Sequence, residues 1–407
     1  MHETTEVLAG LFLMFAAAKV MGYLAERLNQ PAVVGEILAG VLIGPSVLNW
    51  VHPTEFTDLL AELAVIVLLF RVGLEVNVRE MMEVGLLALG VAVVGVVLPF
   101  VAGSGLVIYA LDADLPTALF MGSAMVATSV GITARVLADL GQLQRRESRT
   151  ILGAAVIDDV LGLLVLAMVA GIATTGSVSW ASLGTIIGLT VAFVAGVLLV
   201  GRPLMLRING RLPDPAQGYT VFFVAVVLML GLATLAAQIG LAAIVGAFFA
   251  GLILELGQRQ HALDHQVQPV AEFLVPFFFV SVGMKVELDA FMNAQTLWLT
   301  LAVLVLAMIT KVAAGWLVAF RSGWLSSSLI GVGMMPRGEV GIIVALMGLS
   351  LGVISQDLYS VVVAMSVITT IVAPPILKVL LTRIVRQEAA SHSGALSGAG
   401  VQGDGGH

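Results

Sequence analysis

The sequence predicts an all-α polytopic membrane protein with about thirteen transmembrane helices. Of its 407 residues, 59% are hydrophobic and only 11% are charged, and the mean hydropathy is +1.07. Soluble domains carry about 25% charged residues, so this chain has too few to cover a water-facing surface. These observations exclude an ordinary soluble enzyme. The net charge of −7 also argues against a nucleic-acid partner.

Apolar segments follow one another along the chain, and most are close to the roughly 20 residues that a spanning helix needs. The segments at 33–48, 59–74 and 241–256 are short, and the long one at 84–110 must tilt or kink at Pro99. In order, the predicted segments are 7–25, 33–48, 59–74, 84–110, 116–140, 150–173, 181–207, 219–238, 241–256, 267–284, 295–320, 325–350 and 358–384.

Charges in the loops between these segments alternate in sign. One set of loops carries arginines such as Arg27, Arg145 and Arg321, whereas the alternate set is mainly acidic. Cytoplasmic loops are enriched in Lys and Arg, so we expect the N-terminus outside and the C-terminus in the cytoplasm. The Gly/Ser-rich end, residues 388–407, is expected to be a disordered cytoplasmic tail.

Two segments are interrupted in mid-membrane by Gly, Pro and polar residues. The fifth contains ATSVGITARVL (127–137) and the twelfth contains GMMPRGEVGI (333–342). They lie an odd number of segments apart, so they run in opposite senses, and the chain divides into two inverted six-helix halves with a linking helix. Paired broken segments of this kind indicate a secondary-transporter binding site. The alternative is that each break is a simple Pro/Gly kink. Two breaks at matched places favour the transporter interpretation, whereas a single break would favour the kink.

Ionisable residues at bilayer depth are costly and usually functional. Asp158 and Asp159 lie about halfway along the sixth segment, and Lys311 lies in the middle of the eleventh. Neighbouring residues on a helix are rotated by about 100°, so the two carboxylates should have different partners. A buried lysine needs an anion, and these two aspartates are the nearest unexplained anions at a similar depth.

Further polar residues lie at the two breaks. Arg337 and Glu339 fall in the twelfth segment, while Thr128, Ser129 and Thr133 bring hydroxyl groups to the fifth. Hydroxyls and unwound carbonyls can supply oxygen ligands to a hard cation such as Na⁺. A kink satisfied by its own hydroxyls is an equally open interpretation for the Ser and Thr residues.

Several motifs together resemble a known family. They are QPAVVGEILAGVLIGPSVL (30–48), LFRVGLEVNV (69–78), ATSVGITARVLADLG (127–141), ILGAAVIDDVLGLLVLA (151–167) and MPRGEVGIIVA (335–345). The chain resembles the bacterial sodium/proton antiporters of the monovalent cation/proton antiporter superfamily, most closely the NapA-type, aspartate–aspartate branch. The resemblance covers about residues 7–385.

The resemblance implies an inverted-repeat fold with two crossed broken helices and an elevator movement in a homodimer of the bacterial inner membrane. The membrane domain would cover residues 1–387. Its mobile core would comprise about 84–173 and 295–384, its dimerisation scaffold about 7–74 and 219–284, and its linking helix about 181–207.

By match to the family motifs, Asp159 would carry the cation and the proton. Asp158 would contribute to the Na⁺ site and would form a salt bridge with Lys311 when no ion is bound. Thr128 and Ser129 match the polar break near the ion, and Arg337 and Glu339 match the charged break of the second crossed helix. An aspartate at position 158 implies electrogenic exchange.

The resemblance also leaves some features open. Arg71 stands where relatives usually carry an apolar residue, and it is expected to alter either domain contacts or the pH dependence. The expected substrates are H⁺ and Na⁺, with Li⁺ or K⁺ as alternatives, and no cofactor is expected. Two other classes compete: an intramembrane aspartyl protease, which needs two facing carboxylates, and a cation channel, which needs a continuous pore.

Overall fold

The computed structural model describes residues 2–76, 78–175, 177–209, 219–254, 260–286 and 294–399, and all regular secondary structure in these ranges is helical. The helices are α1 (His2–Arg27), α2 (Ala32–Ile43), α3 (Glu55–Glu75), α4 (Val78–Glu83), α5 (Gly85–Leu111), α6 (Leu115–Ala124), α7 (Val130–Asp139), α8 (Arg146–Thr175), α9 (Trp180–Gly196), α10 (Arg202–Asn209), α11 (Thr220–Gln238), α12 (Ala243–Ile253), α13 (Gln260–Met284), α14 (Ala294–Ala319), α15 (Trp324–Gly333), α16 (Glu339–Ser350) and α17 (Gln356–Ala399).

Each predicted apolar segment coincides with one helix or with a pair of consecutive helices. Within the described ranges, eight helices are long and apolar enough to cross a membrane. The fifth segment is divided into α6 and α7, and the twelfth into α15 and α16. The seventh continues from α9 through a π-helical turn, Val197–Gly201, into α10. The predicted polytopic all-α fold is therefore confirmed.

Two of the predicted spanning segments are shorter than expected. Helix α2 has 12 residues and α12 has 11, which at about 1.5 Å per residue gives about 18 and 17 Å. A bilayer core is about 30 Å thick, so α2 and α12 by themselves are shorter than the core. Helix α2 ends because Pro45 disfavours a helical conformation at the preceding Gly44, which is extended (φ −73°, ψ −177°).

Helix α17 continues through Ala399, into the first residues of the predicted tail. That residues 388–407 form a disordered cytoplasmic tail stays a prediction. Residues 400–407 of the predicted tail lie outside the described residues.

Glycines allow the two halves of the chain to interlock. Gly40 of α2 packs against the backbone of α13 at Gly283, and Gly73 of α3 packs against the backbone of α12 near Gly251. A Cβ atom at any of these four glycines would collide with backbone atoms of the facing helix. Close backbone approach through small residues is how membrane helices associate. The second segment thus pairs with the tenth, and the ninth pairs with the third. These two pairs are equivalent if segments 2 and 3 of the first half correspond to segments 9 and 10 of the second half, which is the pattern of a repeat.

The two broken segments repeat this correspondence. Gly122 of α6 approaches the backbone of α5, and Gly331 of α15 approaches the backbone of α14. The helices thus pack in two groups: α1–α3 with α11–α13, called the first group below, and α5–α8 with α14–α17, called the second group. Helix α7 contacts helices of both groups, and the segment 180–209 contacts α8 and α12.

Candidate functional site

The two helix breaks meet inside the second group. Residues 125–129 separate α6 from α7, and residues 334–338 separate α15 from α16. The amide of Ser129 donates to the Pro336 carbonyl (2.8 Å), and the Thr133 hydroxyl donates to the Gly333 carbonyl (2.7 Å). The two broken segments are therefore hydrogen-bonded to each other at their interruptions.

Local sequence explains where the second break lies. Pro336 disfavours a helical conformation at Met335 and has no amide hydrogen to donate. Gly338 then allows close approach, since a Cβ there would lie 2.7 Å from both Cβ and Oγ of Ser129. Broken helices leave backbone carbonyls and amides without helical partners, and in a bilayer other protein groups must supply those partners.

Arg337 supplies hydrogen-bond donors to backbone carbonyls at the first break. Its side chain is fully buried, and its guanidinium donates to the carbonyls of Ala127 (3.1 Å), Val126 (3.3 Å) and Ala307 of α14 (3.4 Å). Its positive charge thus lies just beyond the C-terminal end of α6, where the helix dipole is negative. The backbone of Arg337 is fixed by Thr369 and Thr370 of α17. Glu339 is the first residue of α16, and its side chain lies outside the described residues.

The hydroxyl groups of the first break contact the opposite broken segment. Thr128 and Thr133 are buried, and both donate to carbonyl oxygens there, Thr128 to Met334 at 3.3 Å and Thr133 to Gly333. Ser129 is also buried and is bound through its backbone amide. The two threonine hydroxyls therefore donate hydrogen bonds to carbonyls of the opposite broken segment, not to carbonyls of their own segment.

A buried ion pair lies beside this crossing. Lys311 Nζ is 3.1 Å from Asp158 Oδ1, and both side chains are 0% exposed. Asp158 Oδ2 is buried and has no hydrogen-bond partner among the described residues. Removing two charges from water costs several kcal/mol each, so a pair at this depth is retained only in good geometry or for a function. The structure thus brings Lys311 to one of the two aspartates that the sequence singled out.

Asp159 has different surroundings from Asp158. It is partly exposed, as expected for the next residue on the same helix. It also lies within electrostatic range of Lys311, as does Arg337. Two carboxylates and two cations are therefore gathered around the crossing, where Asp158 is fully buried and Asp159 is partly exposed.

A cavity of about 380 Å³ lies between the two helix groups. At the surface it begins near Asp58 and Lys285, which form a partly exposed ion pair (3.1 Å). Inside, its lining includes Arg337 and Gly338 at the second break. The cavity therefore extends from this surface pair to the second break, and its lining includes neither aspartate of α8 nor Lys311.

Some contributors to this site have no recognisable sequence pattern. Gly95 of α5 faces the lysine, and a Cβ there would lie 3.4 Å from Lys311 Nζ. The carbonyl of Ala307 and the hydroxyls of Thr369 and Thr370 complete the surroundings of Arg337. A helical glycine is common in membrane segments and a carbonyl is present at every residue, so only the tertiary structure reveals them.

Arg71, which departs from the usual family pattern, lies away from this crossing. Its guanidinium forms a two-bond ion pair with Asp264 (2.6 and 3.1 Å), which joins α3 to α13 within the first group.

An all-helical polytopic chain with two broken helices that meet, a buried ion pair and a cavity reaching the breaks belongs to the class of secondary transporters. The family described as "Sodium/hydrogen exchanger, transmembrane" matches residues 14–383. The chain belongs to this family and is therefore a cation/proton exchanger rather than an enzyme.

Similar proteins agree with this assignment. The Na⁺/H⁺-K⁺ antiporter GerN of Bacillus cereus is 36% identical over 90% of this chain and 94% of its own length. The high-affinity Na⁺/H⁺ antiporter NhaS3 of Synechocystis is 35% identical over 94% of this chain and 91% of its own length. Two structures of the sodium proton antiporter MjNhaP1 from Methanocaldococcus jannaschii share the fold. The first has a TM-score of 0.66 at 17% identity and covers 93% of this chain and 97% of its own. The second has a TM-score of 0.71 at 16% identity and covers 90% of this chain and 94% of its own.

Proposed function

We propose that this protein exchanges Na⁺ for H⁺ across the bacterial inner membrane, with Asp159 and Asp158 as the cation site. The observation that carries the proposal is the fully buried Asp158–Lys311 ion pair next to the partly exposed Asp159. A cation entering at Asp159 can use the free carboxylate oxygen of Asp158 as a second ligand, since that oxygen has no hydrogen-bond partner among the described residues.

Competition for the same carboxylates provides the coupling. In the proton-loaded site, Asp159 is neutral and Lys311 is charged against Asp158, so the three groups sum to zero. When Na⁺ binds both carboxylates, Lys311 loses its partner, and its charged form is disfavoured in a water-excluded site. If Lys311 then releases its proton, the Na⁺-loaded site carries one net negative charge. Two protons are exchanged for one Na⁺, and the cycle moves one charge.

The remaining polar residues act as positioning groups in this proposal. Arg337 and Thr133 hold the two breaks together, Thr128 and Ser129 place oxygens near the first break, and Glu339, the first residue of α16, supports the second break. None of them needs to change its protonation state for the exchange to proceed.

Alternating access would follow from movement of the second group against the first. The support for this elevator is that the helices of each group pack mainly with one another, while a cavity separates the groups next to Arg337. The second group corresponds to the transport core, about 84–173 and 295–384, and the first to a scaffold, about 7–74 and 219–284, joined by the linking helix 181–207. We further propose a homodimer formed through the scaffold, with the N-terminus outside and the arginine-rich loops in the cytoplasm.

The identity of the cation has one specific alternative. GerN, a relative 36% identical to this chain, is named as a Na⁺/H⁺-K⁺ antiporter, so a K⁺/H⁺ exchanger of the same fold is the second candidate. Li⁺ is a further candidate substrate because it is also a hard cation that prefers oxygen ligands.

Proteoliposomes that contain a pH-sensitive dye test this proposal. Addition of Na⁺ should drive proton movement in the wild type, and comparison with Li⁺, K⁺ and choline gives the selectivity. Asp159→Asn should abolish the response, because an amide cannot trade a proton for a cation. Asp112→Asn is the matched control, since Asp112 is exposed and its left-handed conformation (φ 51°) suits Asn. Sodium-driven proton movement of wild-type size in Asp159→Asn would refute the site.

A further inference from the structure

A second cavity of about 290 Å³ lies far from the ion pair, between the α1–α2 turn and the last long helix, α17. The turn contributes Asn29 and Gln30 to its lining. Helix α17 contributes the rest of the lining, namely Pro375, Lys378, Val379, Thr382, Arg383 and Arg386. This basic cavity therefore has one wall from each helix group.

The basic cavity carries uncompensated positive charge. Its lining includes three basic side chains and no carboxylate. Lys378 Nζ donates to the backbone carbonyl of Asn29 (2.8 Å), which closes one side without neutralising the charge. Some other arginines have acidic partners, such as Arg145 with Glu388 at 2.6 Å. Arg383 and Arg386 have no ion-pair partner among the described residues.

Apolar surface adjoins these charges. Val379, Arg383 and Arg386 follow one another at helical spacing of three or four residues, so they lie along one face of α17. Val379 is 50% exposed on that face, and Leu28, next to Asn29 at the end of α1, is 74% exposed. A face that changes from apolar to basic at the end of a membrane helix matches a phospholipid, whose acyl chains lie beside the charged headgroup.

We propose that this basic cavity binds the headgroup of an anionic phospholipid, with its phosphate between Arg383, Arg386 and Lys378. Arginine donates to phosphate oxygens in a bidentate manner, while the lysine acts as a point charge. The amide side chains of Asn29 and Gln30 can donate to the glycerol or phosphate oxygens. The bound headgroup contacts both helix groups at the boundary between them.

Lipid binding can be measured without any transport assay. Detergent-purified wild type is titrated with phosphatidylglycerol, with phosphatidylcholine and with inorganic phosphate, and binding is followed by native mass spectrometry and by the rise in melting temperature. Phosphatidylglycerol should bind and stabilise more strongly than the other two. In Arg383→Gln/Arg386→Gln, the affinity for phosphatidylglycerol should fall by roughly twenty-fold, since each basic residue near an anionic headgroup contributes about a five-fold factor.

Two further variants make the test specific. Arg383→Lys/Arg386→Lys keeps the charge and should retain most of the affinity. Arg207→Gln/Arg321→Gln removes the same charge from exposed arginines outside the cavity and should bind phosphatidylglycerol like the wild type. An equal loss in this control would overturn the proposal in favour of general surface attraction. Stabilisation by inorganic phosphate equal to that by phosphatidylglycerol would overturn the lipid assignment in favour of a free anion.

Discussion

Replacement of Lys311 by Gln removes the cation of the buried ion pair and keeps a side chain of similar length. Asp158 and Lys311 are both fully buried and 3.1 Å apart, so the change leaves a carboxylate without its partner. Breaking such a pair from one side costs about 3–5 kcal/mol. Protonation of Asp158 can offset part of this cost, because it removes the orphaned charge. The melting temperature should therefore fall, and least at acidic pH.

The same change should alter the charge moved per cycle. Without Lys311, Asp158 can stay protonated throughout the cycle, and Na⁺ then displaces only the proton on Asp159. Exchange should therefore persist in an electroneutral form or weaken with a shifted pH profile. The assay is Na⁺-driven proton movement in proteoliposomes, with the membrane potential either clamped by valinomycin and K⁺ or left free. Voltage-sensitive exchange equal to wild type at every pH would show that Lys311 takes no part in coupling.

Two comparisons isolate the pair. Lys285→Gln breaks the Lys285–Asp58 pair, which has the same 3.1 Å separation but is partly exposed, so it should cost only about 0–1 kcal/mol. The double change Asp158→Asn/Lys311→Gln should cost less than the sum of its single changes, by roughly 0.5–3 kcal/mol, because neither charge is orphaned. Strict additivity would contradict an interaction between these two side chains.

Three other changes test how the breaks and the scaffold are held. Gly338→Ala should destabilise the protein by about 1–3 kcal/mol, because its Cβ would lie 2.7 Å from the Ser129 Cβ. The control Gly105→Ala, where the glycine faces open space, should melt no lower than wild type, and equal melting temperatures for the two variants would contradict the close crossing. Thr133→Val should lower stability by about 1–3 kcal/mol, because it leaves the Gly333 carbonyl without a hydrogen-bond donor. The control Thr300→Val loses only a bond to the carbonyl four residues earlier in its own helix and should lower stability less, and a larger loss of melting temperature in Thr300→Val would refute the role of Thr133. Arg71→Leu should lower stability by about 1 kcal/mol by breaking the ion pair to Asp264 and should leave Na⁺/H⁺ exchange intact; loss of exchange in folded protein would place Arg71 in the transport machinery.

Much of the site could be predicted because a bilayer makes polar residues conspicuous. Depth alone predicts that Lys311 pairs with one of the two aspartates, since a charge in an apolar segment needs a partner, and the family resemblance selects Asp158. The breaks were visible in the Gly, Pro and hydroxyl residues of 127–137 and 333–342. The partners of Arg337 could not be predicted, because they are backbone carbonyls with no side-chain identity. The end of α2 could not be predicted from hydrophobicity, because the apolar residues continue beyond the point where Pro45 stops the helix.

The stoichiometry of exchange tests the central claim most directly. Proteoliposomes are loaded with a fixed Na⁺ gradient at equal pH on both sides, and the membrane potential is varied until no net Na⁺ flux occurs. Exchange of two protons for one Na⁺ moves one charge, so the potential at zero flux should equal the Nernst potential of the Na⁺ gradient in magnitude and shift by about 59 mV for each tenfold change in the gradient. If the membrane potential has no effect on the condition of zero net Na⁺ flux, one proton is exchanged per Na⁺. That result would contradict the participation of the Asp158–Lys311 pair in coupling.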